Sequence, residues 1–166
     1  MMDSEEREDI KIVYLNINGL LHAEHIADMK CDNNLMTADV TCIAETKLSD
    51  SVDPDSVILD GFETISRLDF ETHSMGIMIF TNDRTKPLMA NVKSYIDRKN
   101  RTQMIRCEIE NIPVTFVYIH PSHVARGLKF IQSQLNNDEI LMGDFNIDSS
   151  TPAVSVNLND SVTTLT

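Results

Sequence analysis

The sequence predicts an α/β domain, and three observations predict it. Short β-branched or apolar runs recur at 10–17, 39–44, 76–81 and 113–119. The segment after the last of these carries Val124, Leu128, Ile131 and Leu135, the spacing of an amphipathic helix. Polar residues of the kinds that do chemistry fall where the apolar runs stop. Strands interspersed with a few helices imply a layered α/β architecture, whose sites assemble at strand ends.

Each element follows in order. Residues 1–9 read as a disordered acidic lead-in. Ile10 to Ile17 is apolar on both faces and predicts a buried strand, ended by the turn dipeptide Asn18-Gly19. The spacing predicts a helix over 21–36, with Ala23, Ile26, Ala27 and Met29 on one face and His22, Glu24, Asp28 and Lys30 on the other. Asp39 to Ala44 is a second buried strand; the acidic, Pro54-containing stretch 45–60 is a loop. Phe62 to Arg67 and Gly76 to Thr81 follow as strands. Residues 88–96 and 103–110 are expected to pair across the polar turn at 97–101. In the second of them Ile105, Cys107 and Ile109 alternate with Arg106, Glu108 and Glu110, the period of a half-buried strand. Pro113 to Ile119 is strongly strand-like, and Ile140 to Met142 is a short strand running into Gly143-Asp144-Phe145-Asn146. Residues 10–150 thus form the domain, and 151–166 read as a polar tail or one final strand on Val154, Val156 and Leu158.

Composition removes several functional classes. A chain of 166 residues with 42% hydrophobic content suits one domain with a core. No apolar run approaches the ~18 residues of a membrane span, and the acidic N-terminus lacks the pattern of a secretory signal. Cys31, Cys42 and Cys107 form no C-x-x-C pair and read as buried structural thiols. They place the protein in a reducing compartment, the nucleus or cytoplasm. The net charge of -12 argues against a polybasic nucleic-acid binder. It is polarised, however. Residues 84–106 hold seven bases against Asp97, whereas 44–71 hold eight acids against two bases. Arg98, Lys99, Arg101 and Arg106 are therefore candidate nucleic-acid contacts beside an acidic centre; a solvated hairpin surface is the alternative.

The strand ends carry the chemistry. Asn16 and Asn18 close the first strand, Glu45 follows the second, Tyr118 and His120 end the 113–119 run, and Asp144 and Asn146 follow the last. Two carboxylates with several amides form a hard oxygen donor set suited to Mg²⁺. A zinc site on His120, His123 and Asp144 is the weaker alternative, because nothing in the spacing brings them together.

The segments N-I-N-G-L at 16–20, E-T-K at 45–47, V-Y-I-H-P-S at 117–122 and G-D-F-N at 143–146, in that order, resemble the endonuclease/exonuclease/phosphatase superfamily. Within it, E-T-K-L and Y-I-H-P-S look most similar to the endonuclease domains borne by LINE-type and Helitron transposons. The resemblance implies a DNase I-like layered α/β sandwich and a Mg²⁺- or Mn²⁺-dependent phosphodiesterase, most simply a DNA endonuclease. It implies that Glu45 is the principal metal ligand with Asn18 near the metal. Asn16 positions the network, Tyr118 contacts the scissile phosphate, Asp144 orients or deprotonates the attacking water, and Asn146 steadies charge in the transition state.

The family pattern continues past G-D-F-N to a distant Asp and a terminal Ser-Asp-His, and no Ser-Asp-His occurs here. The expectation is the N-terminal portion of the fold, a C-terminally truncated relative with an incomplete second sheet. The apolar inner face of the first sheet would then lie uncovered, calling for a homodimer or a partner chain. Two further readings stay open: a catalytically inactive remnant or binding module, and a phosphoesterase acting on a small phosphate ester or lipid head group.

Overall fold

A computed structural model describes residues 9–53, 56–71, 73–136 and 138–147. Most of the acidic lead-in and the whole of 151–166, including the candidate final strand, lie outside these. The elements run β1 (Ile12–Asn16), α1 (Ala23–Cys31), α2 (Asn33–Met36), β2 (Val40–Ala44), β3 (Phe62–Leu68), β4 (Ile77–Asn82), β5 (Met89–Asp97), β6 (Thr102–Ile109), β7 (Ile112–Ile119), α3 (Val124–Gln134) and β8 (Ile140–Asp144). One sheet has the order β1-β2-β4-β3 and the other β5-β6-β7-β8. The pairs β1·β2 and β7·β8 are parallel; the remaining neighbours are antiparallel.

Alternation along the strands explains how the sheets stack. Val40 and Cys42 of β2 and Ile77 and Ile79 of β4 point inward to meet Ile105, Cys107 and Ile109 of β6 and Val114 and Phe116 of β7. The opposite parity faces out. Ile43, Met78 and Phe80 pack with Met29 of α1 and Leu35 of α2, and Met104, Val117 and Ile119 pack beneath Leu128 and Ile131 of α3. The result is four layers, helix–sheet–sheet–helix, in which β2, β4, β6 and β7 are the buried strands and β3 and β5 the more exposed ones. The inner face of the first sheet is therefore not open. Strands β6 and β7 of the second sheet pack against it through Ile105, Cys107, Ile109, Val114 and Phe116. The second sheet ends at β8 among the described residues.

Two expectations are corrected. The predicted helix over 21–36 is two helices. Asp32 adopts an extended backbone and caps α2, accepting from the backbone N–H groups of Asn34 (2.7 Å) and Leu35 (3.3 Å). A carboxylate that can satisfy the free N–H groups of a new turn competes with continuing the old one. Of the three cysteines, Cys42 and Cys107 lie in the inter-sheet core but Cys31, at the end of α1, is exposed. Burial raises the Cys42 thiol and pushes Cys107 up to about 12, so both stay protonated. Among the described residues no helix is long and apolar enough to cross a membrane.

Candidate active site

The inward rows of three strands end on polar residues. Ile12 and Tyr14 of β1 face the inter-sheet core and Asn16 continues their row. Val114 and Phe116 of β7 lead to Tyr118, and Met142 of β8 leads to Asp144. Because the period is two, these three side chains emerge together where the gap between the sheets opens. The register sets Tyr118 beside Asp144 across the parallel β7·β8 pair. Gly143 permits that approach, since a Cβ there would meet the carbonyl oxygen of Val117 at 2.4 Å.

Glu45 arrives from β2 by way of a strained turn. It and Lys47 have positive φ angles (53° and 54°), as do Asn18 and Asn146 (50° and 48°). Asn tolerates this region; Glu and Lys occupy it at a cost of order 1–3 kcal/mol each. The turn is held by backbone bonds on both sides. Gly19 and Leu20 donate to the carbonyls of Glu45 (2.7 Å) and Thr46 (2.9 Å), and the Lys47 N–H donates to Met75 (2.8 Å). Beneath it, Gly76 (φ +119°) leaves no room for a side chain: a Cβ would lie 2.0 Å from the Thr46 hydroxyl.

Together these elements build one network. The Asn16 side-chain amide donates to Glu45 Oε1 and to Asp144 Oδ2, both at 2.9 Å. The Tyr118 hydroxyl donates to the same Glu45 Oε1 at 2.8 Å. The Asn18 backbone N–H fixes Asn16 by donating to its Oδ1 at 3.0 Å. Burial, then the bond to Glu45 and the charges of Glu45 and Asp144, raise the Tyr118 hydroxyl well above the ordinary tyrosine range, so it stays a donor. Asn16, Glu45, Tyr118 and Asp144, widely separated in sequence, thus meet directly. Asn18 joins through Asn16 and through Lys47, whose ammonium bonds its Oδ1 and lies 4.0 Å from Glu45 Oε2. Asn146 touches Asp144 by its backbone N–H (3.1 Å), while its side-chain amide donates to the Ile119 carbonyl at 2.7 Å.

The predicted basic contacts separate into three groups. Arg101 borders the site: its guanidinium donates to Ser74 at 2.7 Å and stacks 5.8 Å above Phe70. Its backbone carbonyl accepts from His120 at 3.0 Å. Arg98 pairs with Glu71 (2.7 Å) at the surface and Lys99 lines a neighbouring cleft. Arg106 is elsewhere, bound to the buried Glu139 (3.0 Å) and the Gln134 carbonyl under the end of α3. His120 and His123 both turn to the Ser122 hydroxyl at 2.7 Å. Burial, then the charge of Arg101, lowers the His120 imidazole.

Lys47 and Gln103 are members that residue-by-residue reading missed. Lys47 lay inside the E-T-K segment without a role of its own. Gln103 is buried in β6; its carbonyl accepts from Gly76 N–H (2.9 Å) and its amide donates to Leu68 and Asp69 (3.1 and 3.3 Å). It ties the loop under Glu45 to the second sheet. A fully buried Gln opposite Tyr118 in the register has no sequence signal beyond its interruption of an apolar parity.

The donor set fits a hard divalent cation. Two carboxylates supply oxygens, with the Asn18 amide oxygen available once the Lys47 ammonium that bonds it is displaced, and among the described residues no third His, Cys, Asp or Glu joins them. That matches an ion which keeps several waters and takes one or two carboxylates. Glu45, with Asn18 beside it, would hold the ion.

No family model matches the sequence, and no curated protein does. Solved structures do match. The 3′ phosphatase NExo from Neisseria, bound to a product DNA hairpin, superposes with a TM-score of 0.57 at 17% identity over 84% of this chain and 58% of its own. An AP endonuclease from Archaeoglobus fulgidus gives 0.57 at 15% over the same shares. The inositol polyphosphate 5-phosphatase domain of SPsynaptojanin, with inositol (1,4)-bisphosphate and calcium ion, gives 0.54 at 18% over 84% and 53%. The present chain spans a little over half the length of these proteins, and at such identities the likeness is one of fold.

Proposed function

We propose that this chain, which has the endonuclease/exonuclease/phosphatase (DNase I-like) fold, is the catalytic portion of a divalent-metal-dependent phosphodiesterase acting on DNA. The observation that carries the reading is the single Asn16 amide bridging Glu45 and Asp144 while Tyr118 braces the same Glu45 oxygen. Ordinary folding has no use for two carboxylates held together by neutral donors at a strained strand end; phosphoryl transfer does. A bound Mg²⁺ or Mn²⁺ would supply Lewis-acid charge at the phosphoryl oxygen. The remaining work falls to the chain. Asp144 faces the opening and takes the proton of the attacking water as its oxygen forms the new bond to phosphorus. Asn16 keeps that carboxylate oriented. The Tyr118 hydroxyl, held protonated, stands at the phosphate. Asn146, two residues on, would steady the charge that builds on the phosphoryl oxygens as the bond to the leaving oxygen breaks, through the amide hydrogen it does not give to the Ile119 carbonyl. Arg101 adds positive charge at the rim.

The test is nicking of supercoiled plasmid with Mg²⁺ or Mn²⁺. Metal-dependent nicking is expected, with a loss of at least ~100-fold in Asp144→Ala, the scale of a catalytic acid or base. Equal nicking by wild type and variant would mark contamination and end the reading. Turnover of inositol phosphates or generic phosphodiesters in place of DNA would transfer the chemistry to a small ester. Inactivity of a folded, metal-binding chain would leave a binding module.

A further inference from the structure

Among the described residues, the side chains of Lys93, Lys99, Arg126 and Lys129 make no hydrogen bond or ion pair. Most other cations are committed: Lys30 to Asp60, Arg67 to Asp69, Arg84 to Asp39, Lys86 to Glu63, Arg98 to Glu71 and Arg106 to Glu139. Three of the four uncommitted ones line a single cleft of about 480 Å³, with Asp97, Asn100 and the half-buried ring of Phe130. In a chain of net charge -12, leaving three cations around a single acid, none of them paired, is electrostatically unfavourable unless a further anion shares the place. The one acid there is already engaged. Asp97 accepts from the backbone and side-chain nitrogens of Asn100 (3.1 and 2.6 Å), which shapes the hairpin tip and presents Lys99 outward.

The cleft is mechanically tied to the active-site end of the second sheet. Gly127 of α3 seats directly on Ile119 and Thr102, where a Cβ would approach to 2.5 and 2.6 Å. Thr102 and Ile119 are cross-strand partners, and Ile119 follows Tyr118. The same hairpin tip sends Arg101 toward the site side and Lys99 toward α3, where Arg126 and Lys129 lie one turn apart on an exposed face.

From this we infer that the cleft between the β5–β6 hairpin tip and α3 is a second contact for nucleic acid, a backbone track in which Lys99, Arg126 and Lys129 hold phosphates of the strand engaged at the Glu45–Asp144 site. The inference rests on the nuclease reading and names where the polymer runs. A compact phosphate ester would need one cluster of cations at the site. A track that starts at Arg101 and continues around the sheet end to α3 fits an extended polyanion, and Phe130 offers an apolar floor against which a sugar or base can lie.

The test measures binding of a fluorescent 20-nucleotide DNA, single- and double-stranded, in EDTA, so that chemistry is absent. The triple variant Lys99→Gln, Arg126→Gln, Lys129→Gln is compared with a charge-matched variant, Lys30→Gln, Lys86→Gln, Lys93→Gln. Each phosphate contact contributes roughly 0.7–0.9 to the slope of log K against log salt. The cleft variant is expected to bind at least tenfold more weakly and to lower that slope by about 2, with the control near wild type. In metal, the cleft variant should raise KM with little change in kcat. Equal weakening by both triples would reduce the effect to net charge and overturn the inference, as would wild-type affinity in the cleft variant. Binding to vesicles containing phosphatidylserine but not to DNA would overturn it as well. Failure of the nuclease reading looks different: Asp144→Ala then nicks like wild type, whatever the cleft variants do.

Discussion

Strand β2 carries a carboxylate at each end, and the two are treated in opposite ways. Asp39, just before β2, is almost fully buried and tied to a fixed cation. Arg84 bonds Oδ1 at 2.8 Å, the Asn82 amide bonds the same oxygen at 2.9 Å, and the Lys11 backbone N–H bonds Oδ2 at 2.8 Å. Desolvation there works to raise the carboxyl, and the bonds from Lys11, Asn82 and Arg84 overcome it to hold Asp39 below its usual range. Glu45, just after β2, is held by an amide and a phenol, with Lys47 no closer than 4.0 Å to its second oxygen. A carboxylate neutralised by an arginine is finished as structure. One oriented by neutral donors keeps its charge available for an ion.

The largest break in that comparison should come from exchanging its readouts. Glu45→Ala is expected to abolish metal-dependent nicking, at least ~100-fold or ~2.7 kcal/mol of barrier. Its melting temperature should hold steady or rise as the strained carboxylate cluster is relieved. A large fall in stability with activity retained would make Glu45 another Asp39. Gly76→Ala comes next. The new methyl has no room against Thr46 and the backbone is left-handed, so a loss of about 2–3 kcal/mol by urea unfolding is expected, with activity falling as the Glu45 turn shifts. Asp39→Ala, the mirror of Glu45→Ala, strips partners from Lys11, Asn82 and Arg84. About 2 kcal/mol of stability should go, while kcat of the remaining folded protein is unchanged. Smaller still is Tyr118→Phe, which deletes one bond to Glu45 and leaves the ring buried. Turnover should drop roughly tenfold, equivalent to about 1.4 kcal/mol, with the metal concentration for half-activity shifted upward.

How much of this was legible in sequence depends on whether the determinant is local. The parity of Ile105, Cys107 and Ile109 sufficed to place β6, and inward rows ending in Asn16, Tyr118 and Asp144 made their strand ends conspicuous. The break at Asp32 was not legible, because the apolar spacing runs on through Met36 and only the cap geometry tells two helices from one. Nor was the coverage of the first sheet's inner face, since counting missing strands says nothing of how the strands present will stack. Arg106 illustrates the limit for charge. Its parity, opposite to Ile105, sends it beneath the end of α3, where Glu139 and Gln134 wait. That depends on where Gln134 and Glu139 sit in three dimensions. Conversely, Lys99, Arg126 and Lys129 are distant in sequence, and only the seating of Gly127 on Ile119 brings them to one cleft.

The mildest prediction uses pH to test the Asp39 end of β2. Asp39 has its folded carboxyl held below the unfolded value, so it contributes stability that is complete above the unfolded range near ~3.9 and is lost as pH falls through the lower, folded value. Melting temperatures measured from pH 6 down to pH 2.5 should therefore fall for the wild type mainly below pH 4. Asp39→Asn should begin lower at neutral pH and fall less across the same interval, because its site has no proton to gain. A parallel decline in both would mean that other carboxylates dominate the acid limb and that the Arg84–Asp39 pair adds little.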